Sequence, residues 1–164
     1  MLLELKNVFL NEGEQLTLSE KLDLSSEDFY GIHPFSSPVE VKVCAKNQAG
    51  AVVLQAEVAF DFSHPCDRCA EEFTERYTYS FEHKLVTSLH DDSSEEYILV
   101  EDYQLDLDEL LRTDILLELP TKFLCRPDCK GICPQCGINR NQHTCSCVMH
   151  QVDPRLEVLK QLID

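Results

Sequence analysis

Cysteine is the residue type with most chemistry to offer in this chain, and its spacing says which chemistry. Eight of the nine cysteines fall into four close pairs. They are Cys66-Asp-Arg-Cys69, Cys125-x-x-x-Cys129, Cys133-Pro-Gln-Cys136-Gly and Cys145-Ser-Cys147. Two thiolates on one tight turn reach the same ion, and a structural zinc takes four such ligands in a tetrahedron. Eight paired cysteines therefore suit two closed four-cysteine sites, which are structural rather than catalytic because no coordination position stays open. A secreted disulfide framework is the competing interpretation. It fits poorly, because the count is odd and the members of each pair are too close in sequence to bridge.

The strongest local signal is Cys133-Pro-Gln-Cys136-Gly. Proline after the first cysteine stiffens the turn, and Gly137 supplies the positive φ that closes it. Cys145 and Cys147 follow at short range, where loop closure costs little, so one zinc is assigned to Cys133, Cys136, Cys145 and Cys147. The second site admits more than one assignment. Cys66 and Cys69 can join Cys125 and Cys129, which is the preferred arrangement. They can instead join Cys133 and Cys136, as in a two-knuckle ribbon, leaving Cys125, Cys129, Cys145 and Cys147 together. In a third arrangement the tail alone binds metal and the first pair stays as free thiols. His64 and His143 lie near cysteine pairs and are alternative ligands. Cys44 stands alone and reads as a small packed residue.

These residues must be positioned by the rest of the chain, which has 164 residues, 43% of them hydrophobic, enough for a core. Alternation of Val39, Val41 and Val43 predicts a strand from Val39 to Cys44. Val52, Leu54, Ala56, Val58, Phe60 and Phe62 predict a longer one, and Phe73, Tyr77, Tyr79, Phe81 and Leu85 another. Cys66 and Cys69 lie between these two, at the tip of a long antiparallel hairpin. Leu2 to Leu10 reads as a short strand, Gly13 to Pro38 is ambiguous, and Asn47-Gln48-Ala49-Gly50 reads as a turn. Ser88 to Glu96 reads as an acidic loop and Tyr97 to Val100 as a brief strand. Asp106 caps a helix near 106–119, with Glu109 as its capping-box partner and Pro120 as its stop. Asp153-Pro154 opens a short C-terminal helix. The expected fold is α+β: a twisted antiparallel sheet or partial barrel with a long hairpin, one packed helix and a cysteine-rich zinc-binding tail. Residues 1–120 form the β-rich body and 121–164 the tail with its terminal helix, packed together as one unit.

The formal net charge is -16, and each four-cysteine zinc site adds about -2. Such a surface repels a phosphate backbone over most of its area. The charge is uneven. From Asp91 to Glu118 there are eleven acids and one base, Arg112. From Thr121 to Cys147 there are four bases, Lys122, Arg126, Lys130 and Arg140, against Asp128 alone. Nucleic-acid contact is therefore expected at the tail, with Arg68 at the hairpin tip as a further candidate. The acidic run suits a basic partner, or is simply a solvated helix face. No apolar run is long enough to span a bilayer, and the first residues do not read as a secretory signal, so a cytoplasmic protein with reduced thiols is expected. No phosphate loop, Gly-x-Ser-x-Gly or His-Glu-x-x-His is present. No enzyme activity and no small-molecule substrate are expected. Cys66-x-x-Cys69 is a weak redox candidate, because it follows a strand and precedes Glu71 and Glu72, whose charge opposes a free thiolate.

The strand ending in Cys66-Asp-Arg-Cys69, the acidic helix ending at Leu119-Pro120, the run Leu124-Cys-Arg-Pro-Asp-Cys-Lys-Gly-Ile-Cys-Pro-Gln-Cys-Gly-Ile-Asn139 and the ending Asp153-Pro-Arg-Leu-Glu-Val-Leu-Lys160 together resemble the bacterial YceD family. These are the large ribosomal RNA subunit accumulation proteins, which extend to plastids. The resemblance is specific in the second half and loose before Val39. It implies a non-enzymatic factor for large-subunit ribosome assembly, supporting accumulation or processing of 23S rRNA. Its members are often encoded beside a small zinc-bearing protein of the large subunit. Some relatives keep the hairpin pair but lack the Cys-Pro-x-Cys-Gly tail, which sets the two sites apart. The expected partner is large-subunit rRNA or a pre-ribosomal particle. An acidic adaptor for a basic ribosomal protein is the alternative, and a redox-switched zinc chaperone a further one.

Overall fold

Strict apolar alternation produces the strands that dominate the first part of the chain. The structure, a computed structural model, describes residues 1–48, 51–88 and 97–147. Contacts divide the chain into two compact units. One comprises Met1–His64 and Glu72–Lys122; the other comprises Pro65–Glu71 and Phe123–Asp164, described as far as Cys147. The hairpin turn thus groups with the cysteine-rich segment. The fold is α+β with a twisted five-stranded sheet, two α-helices among the described residues, and a cysteine-rich C-terminal region.

In the first unit, β1 (Leu2–Glu4) is followed by a single helical turn, α1 (Lys6–Leu10). The short strand expected over Leu2 to Leu10 is therefore cut in two. The physical reason is the spacing of its buried residues: Leu3 and Leu5 alternate, but Leu5 and Val8 are three apart and share one helical face. Strands β2 (Gln15–Leu22), β3 (Val39–Gln48), β4 (Ala51–Pro65), β5 (Glu72–Val86) and β6 (Tyr97–Leu99) form the sheet in that order. The side-chain pairs Gln55–Glu82, Asp61–Arg76 and Ser63–Thr74 run in opposite senses along β4 and β5, as antiparallel neighbours must. Only β6 departs from antiparallel order, lying parallel to β5 with Leu85 opposite Ile98. A second, two-stranded sheet pairs β1 with β7 (Gln104–Asp106).

The core follows the predicted faces of β3 and β4, whereas on the predicted face of β5 only Leu85 is buried and Phe73, Tyr77, Tyr79 and Phe81 are half-buried. Val39, Val41, Val43 and Ala45 of β3 and Val52, Leu54, Ala56, Val58, Phe60 and Phe62 of β4 are all buried. Helix α2 (Leu107–Glu118) adds Leu107, Leu111 and Ile115 from one stripe. Asp106 caps it as expected, its Oδ1 accepting from the backbone N–H groups of Asp108 (3.2 Å) and Glu109 (3.4 Å). Leu117, expected on the apolar face, is exposed. Cys44 is half-buried on the polar face of β3, between Thr17 and Gln55, rather than in the core. Asn47, expected in a turn, lies within β3 and is buried. Its Nδ2 donates to the carbonyls of Val8 (2.8 Å) and Phe9 (3.1 Å), satisfying orphan acceptors of α1. The expected loop from Ser88 and turn at Asn47 lie partly, and the helix at Asp153 wholly, outside the described residues.

Arg112 of α2 grips Glu27 with both ends of its guanidinium, at 2.6 and 2.9 Å. The hydrogen bonds from Arg112 hold the Glu27 carboxyl below its ordinary 4.5. A depressed carboxylate stabilises the fold above pH 4.5 and loses that contribution as pH falls through the lowered value. Arg112→Met should therefore lower the urea midpoint at neutral pH. Urea midpoints of variant and parent should draw together as pH falls through the lowered Glu27 value.

Candidate metal centres

Over its described residues, the second unit has little apolar core of its own. Among its described residues, the buried hydrophobic ones are Cys66, Cys69, Phe123, Cys129 and Cys133. Backbone hydrogen bonds set its shape. The turn is closed by Cys66 N–H to Glu71 O (2.9 Å) and Ala70 N–H to Cys66 O (2.8 Å). Asp67 then clamps Phe123 twice: its N–H donates to Phe123 O (2.9 Å), and its Oδ2 accepts from Phe123 N–H (2.7 Å). Ile132 N–H donates to Arg68 O at 2.9 Å. Gly131, at φ +70, makes that approach possible, because a Cβ there would lie 2.8 Å from the same carbonyl oxygen.

This frame brings Cys66, Cys69, Cys125 and Cys129 together, and separately Cys133, Cys136, Cys145 and Cys147. Within each set the sulfurs lie within 4.8 Å of one another. The grouping is the one in which the hairpin pair meets Cys125 and Cys129, not the two-knuckle ribbon. The Cys66–Cys129 and Cys69–Cys125 sulfurs are 3.8 and 3.7 Å apart. A tetrahedron with metal–sulfur bonds near 2.3 Å has edges of about 3.8 Å. The first set thus has the dimensions of a four-thiolate cage, and both sets have its donors.

The second set is built on the predicted turn. Gly137 has φ +72 and donates to Cys133 O at 2.8 Å, while Cys133 N–H donates to Ile138 O at 2.8 Å. Backbone N–H groups of Cys136 and Gln135 point at the Cys133 sulfur and bring its pKa down to about 6. Burial opposes ionisation of Cys66, but backbone donors from Cys125, Arg68 and Cys69 outweigh it, and it also falls to about 6. Four others, Cys69, Cys125, Cys145 and Cys147, resist. Cys125 is pushed up to about 12 by burial and by the neighbouring thiols of Cys66 and Cys69. Cys147 is pushed up to about 12 by its hydrogen bond with Cys136 and by burial. In each set some thiols ionise readily and others are held protonated. A divalent cation removes that conflict by taking the place of the protons.

Asn141 was not singled out in the sequence, yet its Nδ2 donates to the Cys129 sulfur at 3.2 Å and its Oδ1 accepts from Lys130 N–H at 2.8 Å. It fixes one thiolate from outside the cage, as outer partners of metal ligands do. Its only advance signal was the polar run Asn139-Arg-Asn141 after Gly137. His64 stacks on Phe62 in the first unit, at 6.1 Å and 9° between planes, and belongs to neither set. His143 also lies outside both sets. Of the candidate binding bases, Arg68 donates to Cys129 O (2.9 Å) and Pro127 O (3.4 Å), and Arg126 pairs with Asp128 at 3.6 Å. Lys122 is exposed in the first unit; Lys130 and Arg140 lie beside the second cysteine set.

The two sets differ in exposure. Three of the first four cysteines are buried, whereas Cys136 is exposed and Cys145 and Cys147 are half-buried. A graded chelator should therefore strip the second site first. Native mass spectrometry should pass through a one-metal form, in which Cys133, Cys136, Cys145 and Cys147 alkylate before Cys66 and Cys129. Alkylation of the first set ahead of the second would refute this order.

Residues 54–163 match the family model described as large ribosomal RNA subunit accumulation protein YceD. The chain is 28% identical over 129 residues to the Bacillus subtilis (strain 168) protein named "Uncharacterized protein YlbN", covering 77% of this chain and 75% of that protein. It is 36% identical over 69 residues to "Uncharacterized protein Rv2926c" of Mycobacterium tuberculosis (strain H37Rv), covering 39% of this chain and 30% of that protein. A Mycobacterium bovis protein, "Uncharacterized protein Mb2951c", matches to the same extent. No solved structure matches. Among the described residues, no helix is long and apolar enough to cross a membrane.

Proposed function

The chain belongs to the YceD family, and from that premise we propose that it is a non-enzymatic, cytoplasmic factor for assembly of the large ribosomal subunit. A ribosome-related role follows from membership. The finer reading is that it supports 23S rRNA accumulation or processing by contacting rRNA or a pre-ribosomal particle. The single observation that carries it is the family match over residues 54–163, a span that includes every residue of both cysteine sets.

Two zinc ions, one in each set, are the cofactors in this reading. Four thiolates without an open position favour a structural zinc, whose binding energy is folding energy for the segment that supplies the ligands. A concavity of 430 Å³ lies on the sheet. Ser19, Glu20, Lys21, Glu40, Val41 and Lys42 line it, an ordinary charged sheet surface. The bases then matter because the rest of the chain repels RNA. Crosslinking in living cells by ultraviolet light, with sequencing of the RNA attached to a functional tagged protein, tests the reading. A sharp peak on large-subunit rRNA or its precursor is expected. An empty map would reject direct contact.

The net charge of -16 favours one second reading, an acidic adaptor that holds a basic ribosomal protein before it docks. Salt-sensitive binding to such a protein, with none to naked rRNA, would establish it in place of the first.

A further inference from the structure

We propose that the cleft between Lys130 and Arg140, beside the second cysteine set, is the subsite that grips the RNA phosphate backbone; this rests on the rRNA-contact reading above. The cleft has a volume of 160 Å³ and is lined by Lys130, Arg140, His143, Thr144, Cys145 and Cys147. Small-molecule sites usually run to roughly 300–1,000 Å³, so this one suits a single charged group. Its polar lining includes two cations, an imidazole and a hydroxyl, with no carboxylate, beside the sulfurs of Cys145 and Cys147. Those groups are the donors that phosphate oxygens accept from.

Backbone bonds hold the walls of the cleft. Lys130 N–H is fixed to Asn141 Oδ1 at 2.8 Å, and Arg140 N–H to Gly131 O at 2.9 Å. His143 N–H donates to Asn139 O at 3.0 Å. The two cations are thus carried by a braced loop rather than a free one, which reduces the ordering cost of binding. Their availability sets them apart from the other candidates. Arg68 is committed to two carbonyls and Arg126 to Asp128. Among the described residues, the side chains of Lys130 and Arg140 have no ion-pair or hydrogen-bond partner, and they donate to no cysteine sulfur. Balancing the thiolates would be their duller role, and it would show as N–H···S contacts of the kind Asn141 makes to Cys129. A strongly acidic chain must also meet RNA through a locally basic surface, and here two of the four tail bases share one concavity.

The test uses the full, metal-loaded chain and in vitro transcribed large-subunit rRNA, with affinity measured across a salt series. The double variant Lys130→Gln/Arg140→Gln is compared with Lys122→Gln/Arg126→Gln, which removes the same charge elsewhere. Each phosphate contact to single-stranded RNA contributes about 0.7 to the salt slope. The cleft variant should therefore lower the slope by about 1.4 and weaken binding about 25-fold at 0.1 M salt. The control should change both much less. Equal losses in both variants, or none, would overturn the cleft while leaving the rRNA reading intact. A parent protein that binds no rRNA even at low salt would remove both. Zinc content and thiol titration verify that each variant keeps its metal. If the double variant loses it, the single variants K130Q and R140Q are read the same way, each with half the slope change.

Discussion

On the proposed two-zinc reading, stripping the metal from the reduced protein is expected to unfold the cysteine-rich unit and leave the five-stranded sheet folded. The two units have different sources of stability. The sheet unit buries Phe35, Phe60, Phe62, Leu54, Leu85, Leu111 and Ile115 almost completely. The other unit, over its described part, is a set of turns whose buried side chains are chiefly the cysteines themselves and Phe123. Apolar burial on that scale cannot offset the conformational entropy of ordering its backbone. Structural zinc sites supply about 10–16 kcal/mol at neutral pH, which can. Without metal, each set would hold several thiols that cannot ionise together and gain nothing from proximity. Hydrogen exchange at single-residue resolution decides the matter. On chelation, the amides of Cys66, Asp67, Phe123, Ile132, Cys133 and Gly137, all hydrogen-bonded in the structure, should lose protection entirely. Those of β3 and β4 should keep theirs. Retained protection at Cys66 and Phe123 after full metal loss would show that the turn stands without the ion. Cys129→Ser should reproduce the effect for the first site alone and lower the zinc content from two to one.

What the sequence revealed and concealed follows from how local each signal is. Strands β4 and β5 could be read because one face of each alternates over many residues. The cap of α2 could be read because Asp106 needs only the next turn of backbone. The knuckle at Cys133 is equally local, and Gly137 takes the positive φ that its position required. Strand β2 was concealed because it is an edge: Leu16 and Leu18 are only half-buried, and Leu22 alone is fully covered. The parallel placement of β6 depends on where the chain returns after β5, which no residue in Tyr97–Leu99 encodes. The partner of Cys66 and Cys69 was the largest ambiguity. Spacing fixes which cysteines share a turn, but Cys69 and Cys125 meet across 56 residues, and spacing could prefer one of three arrangements without excluding the others. Asp67, Gly131 and Asn141 decide among them, by clamping Phe123, admitting Arg68 and binding Cys129. Each works through a tertiary contact that a linear pattern does not carry.

Gly131→Ala is expected to be the most damaging single-methyl change in the cysteine-rich unit, well beyond the same change at Gly137. Both glycines have positive φ, +70 and +72, so alanine costs each about 1–2 kcal/mol of backbone strain. Their surroundings differ. A Cβ at Gly137 meets nothing within 4 Å, whereas one at Gly131 lies 2.8 Å from the carbonyl oxygen of Arg68. That oxygen is backbone and cannot swing aside; it already accepts from Ile132 N–H at 2.9 Å. Moving it breaks a bond in the shielded turn, a further cost of about 1–3 kcal/mol. Displacement there also pulls on Cys129, two residues away, whose carbonyl takes the Arg68 guanidinium. G131A should therefore lose its first-site zinc at lower chelator concentration, while G137A should resemble the parent at that site. G131N separates the two causes. Asparagine tolerates positive φ better than alanine, so a milder effect than G131A would assign the damage to backbone strain. An equal or larger effect would assign it to the contact with Arg68. If G131A and G137A were equally mild, the turn and the tail would not meet as closely at Arg68 and Gly131 as the structure places them.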